Sequence, residues 1–291
     1  MLSYRHAFHA GNHADVLKHA VEIACLDYLG QKDKPYWYLD THAGAGMYSL
    51  ETGYATQNAE YESGIARLWD EPGLPPLLVR YVEVIRAINA RERGNGKDGV
   101  PRALKVYPGS PVIADVVASE STKLRLFEMH PSDSPLLARC FKDAGRRALI
   151  YAGDGYEGLK ALLPPPPRRA LVLIDPSYED KSEYARVVTA LKDALKRFAT
   201  GTYVLWYPQL HRLETRRLPD QLKALGAKSW LHVALTVRKP TADGFGMHGS
   251  GLFILNPPWV LAEQLAEVMP ALVELLGEDE SAGYTLEHDG L

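Results

Sequence analysis

The stretch Tyr36-Trp37-Tyr38-Leu39-Asp40-Thr41-His42-Ala43-Gly44-Ala45-Gly46 decides the fold. An apolar run ends on a carboxylate and passes at once into small residues. That predicts a buried strand followed by a tight turn whose backbone can approach a ligand, because no Cβ intervenes at glycine. Similar strand ends recur downstream. "LRLFEMH" closes on Glu128, "LIYAGDG" on Asp154-Gly155 and "LVLIDPSY" on Asp175. Tyr203–Tyr207, Trp230–Arg238 and Gly251–Leu255 complete seven predicted strands. Helical spacing fills the intervals at 15–30, 134–144, 155–163 and 182–199. Strand alternating with helix predicts an α/β, Rossmann-like, mostly parallel sheet. The last two strands read as an antiparallel hairpin at its edge.

One interval breaks the rhythm. A dinucleotide-binding fold places its second acid ~20 residues after the glycine turn, whereas here the next strand ending in an acid closes only at Glu128. The excess, 51–107, carries apolar residues at helical spacing (Leu77, Leu78, Tyr81, Val82, Ile85, Ile88). A polar stretch, Asn89 to Arg102, follows and is expected to be mobile. It reads as a helical subdomain inserted into one domain spanning 1–291.

The chain has 291 residues, net charge −3 and two cysteines without metal-type spacing. No apolar run reaches the roughly 18 residues a membrane span needs. These features predict a soluble protein of a reducing cytoplasm, not bound to a membrane. Net charge does not announce a nucleic acid, but basic residues cluster at Arg146-Arg147, Arg168-Arg169, Arg212 to Arg217 and Arg238-Lys239.

Glu128 at its strand end can take both hydroxyls of a ribose, and Asp154-Gly155 can bind the edge of an adenine. With the turn at Gly44, these acids suggest a nucleoside-shaped cofactor. A nicotinamide cofactor needs Gly-x-Gly-x-x-Gly, and here Ser49 stands at the third glycine. S-adenosylmethionine, which has no pyrophosphate, fits better.

Asp175-Pro176-Ser177-Tyr178 then suits transfer to an exocyclic amine such as adenine N6. That nitrogen's lone pair is delocalised into the ring, and two acceptors on its protons draw it towards a nucleophilic geometry. The Asp175 carboxylate and the Pro176 carbonyl supply them, and Tyr178 offers a face on which an extruded base can stack. Asn256-Pro257-Pro258-Trp259 matches such a tetrad better as a bare pattern, but it follows the edge hairpin, away from the glycine turn. The N-terminal "YRHAFHAGNHADVLKH" holds four of the ten histidines. No carboxylate or cysteine completes an obvious metal set there, and no metal is expected. Residues 1–14 read instead as a segment covering cofactor and substrate.

Taken together, "LSYRHAFHAGNHADVLKH", "LDTHAGAGMY", "YPGSP", "FEMHPSD", "GDGYEGL", "LIDPSYE" and "GMHGSGLFILNPPW" resemble the bacterial 23S ribosomal RNA adenine-N6 methyltransferases of the RlmJ type. The resemblance covers nearly the whole chain. It implies a class I methyltransferase sheet, S-adenosylmethionine as donor and 23S rRNA as partner, with adenine 2030 as the family's site. Carried over by position, it places cofactor contacts on Lys18 or His19, His42, Ser110, Glu128, and Asp154 with Gly155. It puts the catalytic acid at Asp175 and a substrate contact at Tyr4; His6, in the same N-terminal segment, reads as a further substrate contact. It also sets the Asn-Pro-Pro-Trp stretch outside the catalytic tetrad. The family tetrad reads Asp-Pro-Pro-Tyr, so Ser177 is a departure that removes loop stiffness worth ~1 kcal/mol. A monomer is expected. The rival readings are methylation of DNA adenine, of another RNA or of a protein glutamine, a weakly active RNA-binding relative, and a nicotinamide oxidoreductase.

Overall fold

The structure, a computed structural model, describes residues 6–52, 58–93, 103–242, 244 and 246–291. Tyr4 and the stretch 94–102 lie outside the described residues. Ten strands are described: β1 (Trp37–Asp40), β2 (Met47–Ser49), β3 (Val106–Pro108), β4 (Lys123–Phe127), β5 (Ala148–Tyr151), β6 (Ala170–Ile174), β7 (Thr202–Gln209), β8 (Trp230–Thr236), β9 (Gly249–Leu255) and β10 (Gly283–Asp289). Eight of them form one sheet in the order β10-β8-β9-β7-β6-β1-β4-β5. Strands β5, β4, β1, β6 and β7 run parallel, while β9, β8 and β10 continue antiparallel. The predicted Rossmann-like sheet with an antiparallel edge is therefore present, with one strand more than the sequence suggested. That strand, β10, exposes most of its residues and lacks the apolar run that marks a buried strand.

The central parallel strands are largely apolar because helices cover both faces of the sheet. Strand β6 (Ala170–Ile174) is buried at every position. The helices are α1 (His13–Gly30), α2 (Ile65–Trp69), α3 (Pro76–Arg93), α4 (Ser110–Val117), α5 (Asp133–Cys140), α6 (Gly155–Leu162), α7 (Ser182–Arg197), α8 (Leu213–Lys223) and α9 (Leu261–Leu276). Helix α1 is buried from His13 to Leu26 and packs on α4, α3 and the sheet. Asn12 caps it, its side chain accepting from the amides of Ala14 (3.0 Å) and Asp15 (3.1 Å).

The segment 51–107 opens and closes on a small hairpin, β2 against β3. Its α3 sends Leu78, Tyr81 and Ile85 into the same apolar core as the sheet. The expectation that Asn89 begins a mobile stretch is corrected. Asn89 is buried in α3, donates to the carbonyls of Ile85 and Val106, and accepts from the amides of Lys105 and Val106. A polar residue in a helix ties the returning strand down, which residue type alone cannot reveal.

Candidate active site

Chain order sets the site. After β1 the sheet grows outward through β4 and β5, then resumes at β6 on the other flank of β1. A crevice opens at such a switch, beyond the carboxyl ends of the strands. Register brings four ends together. Asp40 pairs with Leu126 on one side and Leu173 on the other, so Glu128 and Asp175 each lie two residues further along neighbouring strands. Backbone bonds continue past the ladders: Thr41 N to Leu173 O (3.1 Å), Ala43 N to Phe127 O (2.9 Å) and Glu128 N to Tyr151 O (3.0 Å).

These ends surround a cleft with an empty volume of about 1040 Å³, counting its mouth. It is lined by His6, Lys18, His19, His42, Gly44, Ser110, Glu128, Asp154, Gly155, Asp175, Pro176 and Ser177. The residues named from sequence are thus gathered in one place, save Tyr4, outside the described residues, and Tyr178.

Glu128 Oε2 accepts from Gly44 N (2.8 Å) and Oε1 from His130 N (2.6 Å). Each oxygen keeps lone pairs for a further donor, such as a hydroxyl. Burial raises its pKa, against those two bonds. Gly44 holds φ +63°, and a Cβ there would run into the Tyr48 hydroxyl. Asp154 caps α6 through Tyr156 N (2.8 Å), and its other oxygen pairs with Arg186 Nη2 (2.8 Å). Gly155 packs so closely on Thr41 that a Cβ would collide with the Thr41 carbonyl. Met129, 52% exposed, adds an apolar surface beside Glu128. Carboxylates with open lone pairs, backbone without Cβ atoms and one thioether fit a nucleoside such as the adenosyl part of S-adenosylmethionine.

The other side of the cleft carries charge. Lys18 Nζ lies 2.8 Å from Asp15 Oδ1 and 2.5 Å from Asp175 Oδ2. Burial opposes its charge, but the two carboxylates outweigh that and hold its pKa well above the ordinary value. Asp15 Oδ2 meets His6 Nε2 (2.9 Å) and accepts from Gly11 N (2.8 Å). Burial is outweighed there too, by His6 and Lys18, so Asp15 stays ionised. His19 turns inward, its Nδ1 2.8 Å from the Tyr107 hydroxyl, and burial keeps it neutral. Burial likewise lowers the pKa of His42, whose amide donates to Asp40 Oδ1 (3.1 Å).

Three features escaped sequence reading. Asp40 is wholly buried, accepts from Ser110 Oγ (2.6 Å) and has its pKa pushed up to about 6 by burial. Tyr38 bridges it to Glu22, itself buried and raised well above the carboxylate range. Asp15 holds Lys18 and His6 in place, although it reads in sequence as an ordinary first-turn acid. The signal for Asp40 was its position at a strand end, shared with Glu128 and Asp175.

Tyr178 needs correction. It was expected to be exposed, yet it is 2% exposed, packs against Tyr184 and Trp206, and donates its hydroxyl to Trp206 O (3.0 Å). Its backbone φ is +52°, and its ring lies in the core and does not line the cleft. In this conformation the ring supports the turn and offers no face to a base.

The basic clusters divide by use. Arg147 is engaged by Asp115 and by carbonyls, and Arg169 by the carbonyls of Lys34 and Leu29, so both serve the fold. Arg212 lies 3.4 Å from the Tyr178 carbonyl, and Arg216 and Arg217 are exposed on α8 next to it. In the N-terminal segment His9 meets Glu60 (2.9 Å) and His6 meets Asp15.

Known proteins resemble this chain over nearly its whole length. Residues 33–288 match the family described as "Ribosomal RNA large subunit methyltransferase D, RlmJ". The chain is 47% identical over 273 residues to ribosomal RNA large subunit methyltransferase J of Escherichia coli, covering 94% of this chain and 93% of that one. It is 44% identical over 287 residues to the Haemophilus influenzae protein of the same name, covering 99% and 98%. A crystal structure of a Legionella pneumophila protein superposes with a TM-score of 0.85 at 35% identity, over 96% of this chain and 98% of that one. The chain belongs to the RlmJ family of ribosomal RNA large subunit methyltransferases, S-adenosylmethionine-dependent enzymes of the class I fold.

Proposed function

We propose that this enzyme methylates N6 of a single adenine in 23S rRNA, the family site at adenine 2030. The observation that carries the reading is the place of Asp175, at the end of β6 between the cleft with Glu128 and Asp154 and the basic, histidine-rich start of α1. When bound, S-adenosylmethionine supplies a methyl group activated by a sulfonium. Glu128 takes the ribose hydroxyls, and Asp154 with Gly155 receives the adenine edge. Gly44, His42, Ser110, Lys18 and His19, which also line the cleft, would make the remaining cofactor contacts.

The acceptor amine then needs two hydrogen-bond acceptors. Lys18 occupies Asp175 Oδ2, which leaves Oδ1 for one N6 proton, and the Pro176 carbonyl takes the second. This draws the nitrogen lone pair out of the ring, and the surplus proton leaves through Asp175 or water. Positioning supplies most of the acceleration. Tyr178 contributes by supporting the turn. Tyr4 and His6, with the rest of 1–14, cover the substrate side. The segment 51–107 and the arginines of α8 hold RNA backbone, with affinity that falls as salt rises. The protein acts as a monomeric single domain in the cytoplasm.

Tritium transfer from labelled S-adenosylmethionine tests the reading. Label should enter protein-free 23S rRNA lacking the modification, and not duplex DNA or protein. Preferential labelling of DNA or protein would overturn it.

A further inference from the structure

The Asp154 end of the cofactor cleft has a wall supplied by the start of α7. Glu183 and Arg186 both line the cleft, and their spacing of three puts them side by side on the helix. Arg186 Nη2 donates to Asp154 Oδ2 at 2.8 Å, and its Nη1 lies 3.5 Å from Glu183 Oε2. The guanidinium carbon stands 4.9 Å from the centre of the Tyr156 ring, and the Tyr156 hydroxyl donates to Glu183 Oε1 at 2.7 Å. Two carboxylates and an aromatic ring thus fix a planar cation at the edge of the cleft, beside the acid that closes β5.

Stability does not account for this arrangement. The Arg186 side chain is 46% exposed and that of Asp154 31%, and ion pairs so open to water contribute little. What the guanidinium presents accounts for it better. Arginine has five N–H donors and no acceptor. Asp154 takes one and Glu183 faces another, and the described residues supply no hydrogen-bond partner for the rest. The edge of an adenine has a matching pattern, because its N6 amine is flanked by two ring acceptors, N1 and N7. Asp154 is flanked in the same way by two donors: the Gly155 amide follows it in the chain, and Arg186 meets its Oδ2. A carboxylate between two donors complements an amine between two acceptors.

We propose, resting on the reading in which Asp154 and Gly155 receive the cofactor's adenine, that Arg186 is a further cofactor-contacting residue. Its guanidinium donates to N7 of that adenine while Asp154 accepts from N6. Glu183 and Tyr156 are positioning residues that hold the guanidinium there. The ligand class selected is a purine with an exocyclic amine and an unprotonated N7.

The probes are S-adenosylhomocysteine and its 7-deaza analogue, in which a C–H replaces N7 while the amine and N1 remain. Calorimetry on the wild-type protein should give a Kd about tenfold weaker for the analogue, the worth of one hydrogen bond. Arg186→Met keeps an unbranched stem beside Tyr156 and removes every donor. It should weaken S-adenosylhomocysteine about tenfold and leave the analogue within about twofold, so that the preference disappears. Tm should change little, because the ion pairs it removes are open to water. Equal affinity of the wild-type protein for the two ligands would overturn the proposal, even if the variant fails to fold. An equal loss for both ligands in Arg186→Met would do the same, since Arg186 would then act only by propping Asp154. So would a raised KM for rRNA with both ligand affinities unchanged, which would put Arg186 on RNA phosphate. Asp154→Ala reports separately on the underlying reading. It should weaken both ligands, and unchanged affinities there would place the adenine elsewhere in the cleft. Weakened binding in Asp154→Ala, with no wild-type preference for N7, would sink Arg186 alone.

Discussion

Asp175-Pro176-Ser177-Tyr178 and Asn256-Pro257-Pro258-Trp259 look alike as strings and behave as opposites in the fold. Each follows an apolar strand, and each contains a residue in the left-handed region, Tyr178 at φ +52° and Asn256 at +50°. The first ends β6, a parallel strand whose carboxyl end faces the crevice. The second ends β9, where Leu255 pairs with Tyr203 near the start of β7, so it emerges at the other end of the sheet. In the first the acid faces the cleft and the ring is buried. In the second the Asn256 amide donates to the carbonyls of Ala199 (2.9 Å) and Gly201 (2.8 Å), while Trp259 is 67% exposed. Strand direction, not residue pattern, decides which tetrad faces the crevice.

Removing each tetrad's first side chain should separate the two roles. Asp175→Ala should reduce methyl transfer by about 10²–10⁴-fold, with S-adenosylmethionine affinity by calorimetry within a few-fold of wild type. Asn256→Ala should leave turnover per folded molecule nearly intact and cost ~2 kcal/mol of stability, since two carbonyls lose a donor and alanine resists φ +50°. Denaturant melts and initial rates on both proteins check this, and an inactive but stable Asn256→Ala would break the comparison.

Ser177 tests how much stiffness the Asp175 turn needs. Among the described residues no backbone hydrogen bond uses the Ser177 N–H, so Ser177→Pro should be tolerated. We expect a gain of about 0.4–1 kcal/mol from the less flexible unfolded chain and turnover no lower than wild type. A slower Ser177→Pro enzyme would show that this turn has come to depend on the serine.

A pH-dependent effect comes from beneath the site. Burial raises the Asp40 carboxyl from 3.8 to about 6. Between those values the folded protein binds more protons at this group than the unfolded chain, so its contribution to stability falls as pH rises. The full difference is about 3 kcal/mol, complete above pH ~6 and absent below pH ~4. Asp40→Asn should flatten the stability–pH curve between pH 4 and 6 relative to wild type. Parallel curves for the two proteins would place the titration elsewhere.

Most of the sheet was legible because parallel strands buried on both faces leave long apolar runs that end in chemistry. Glu128, Asp154 and Asp175 announced the crevice by their position at strand ends. What sequence hid was orientation and long-range partnership. Tyr178 reads as an exposed aromatic until its ring is seen to lie in the core. Asn89 reads as the start of a loop until its amide is seen to hold a returning strand. Strand β10 (Gly283–Asp289) is exposed along most of its length and gives no hydrophobic signal. Asp15 resembles any first-turn acid, and only the folded helix shows it holding Lys18 against Asp175.

The central claim is that the Asp175 turn, and not its counterpart at the other end of the sheet, presents an adenine amine for methylation. The direct test is to treat unmodified 23S rRNA with labelled S-adenosylmethionine and wild-type, Asp175→Ala or Asn256→Ala protein, then digest the RNA to nucleosides and identify the labelled one by mass spectrometry. We predict label in N6-methyladenosine for the wild type and Asn256→Ala and essentially none for Asp175→Ala. Label in any other nucleoside, or N6-methyladenosine surviving Asp175→Ala, would contradict it.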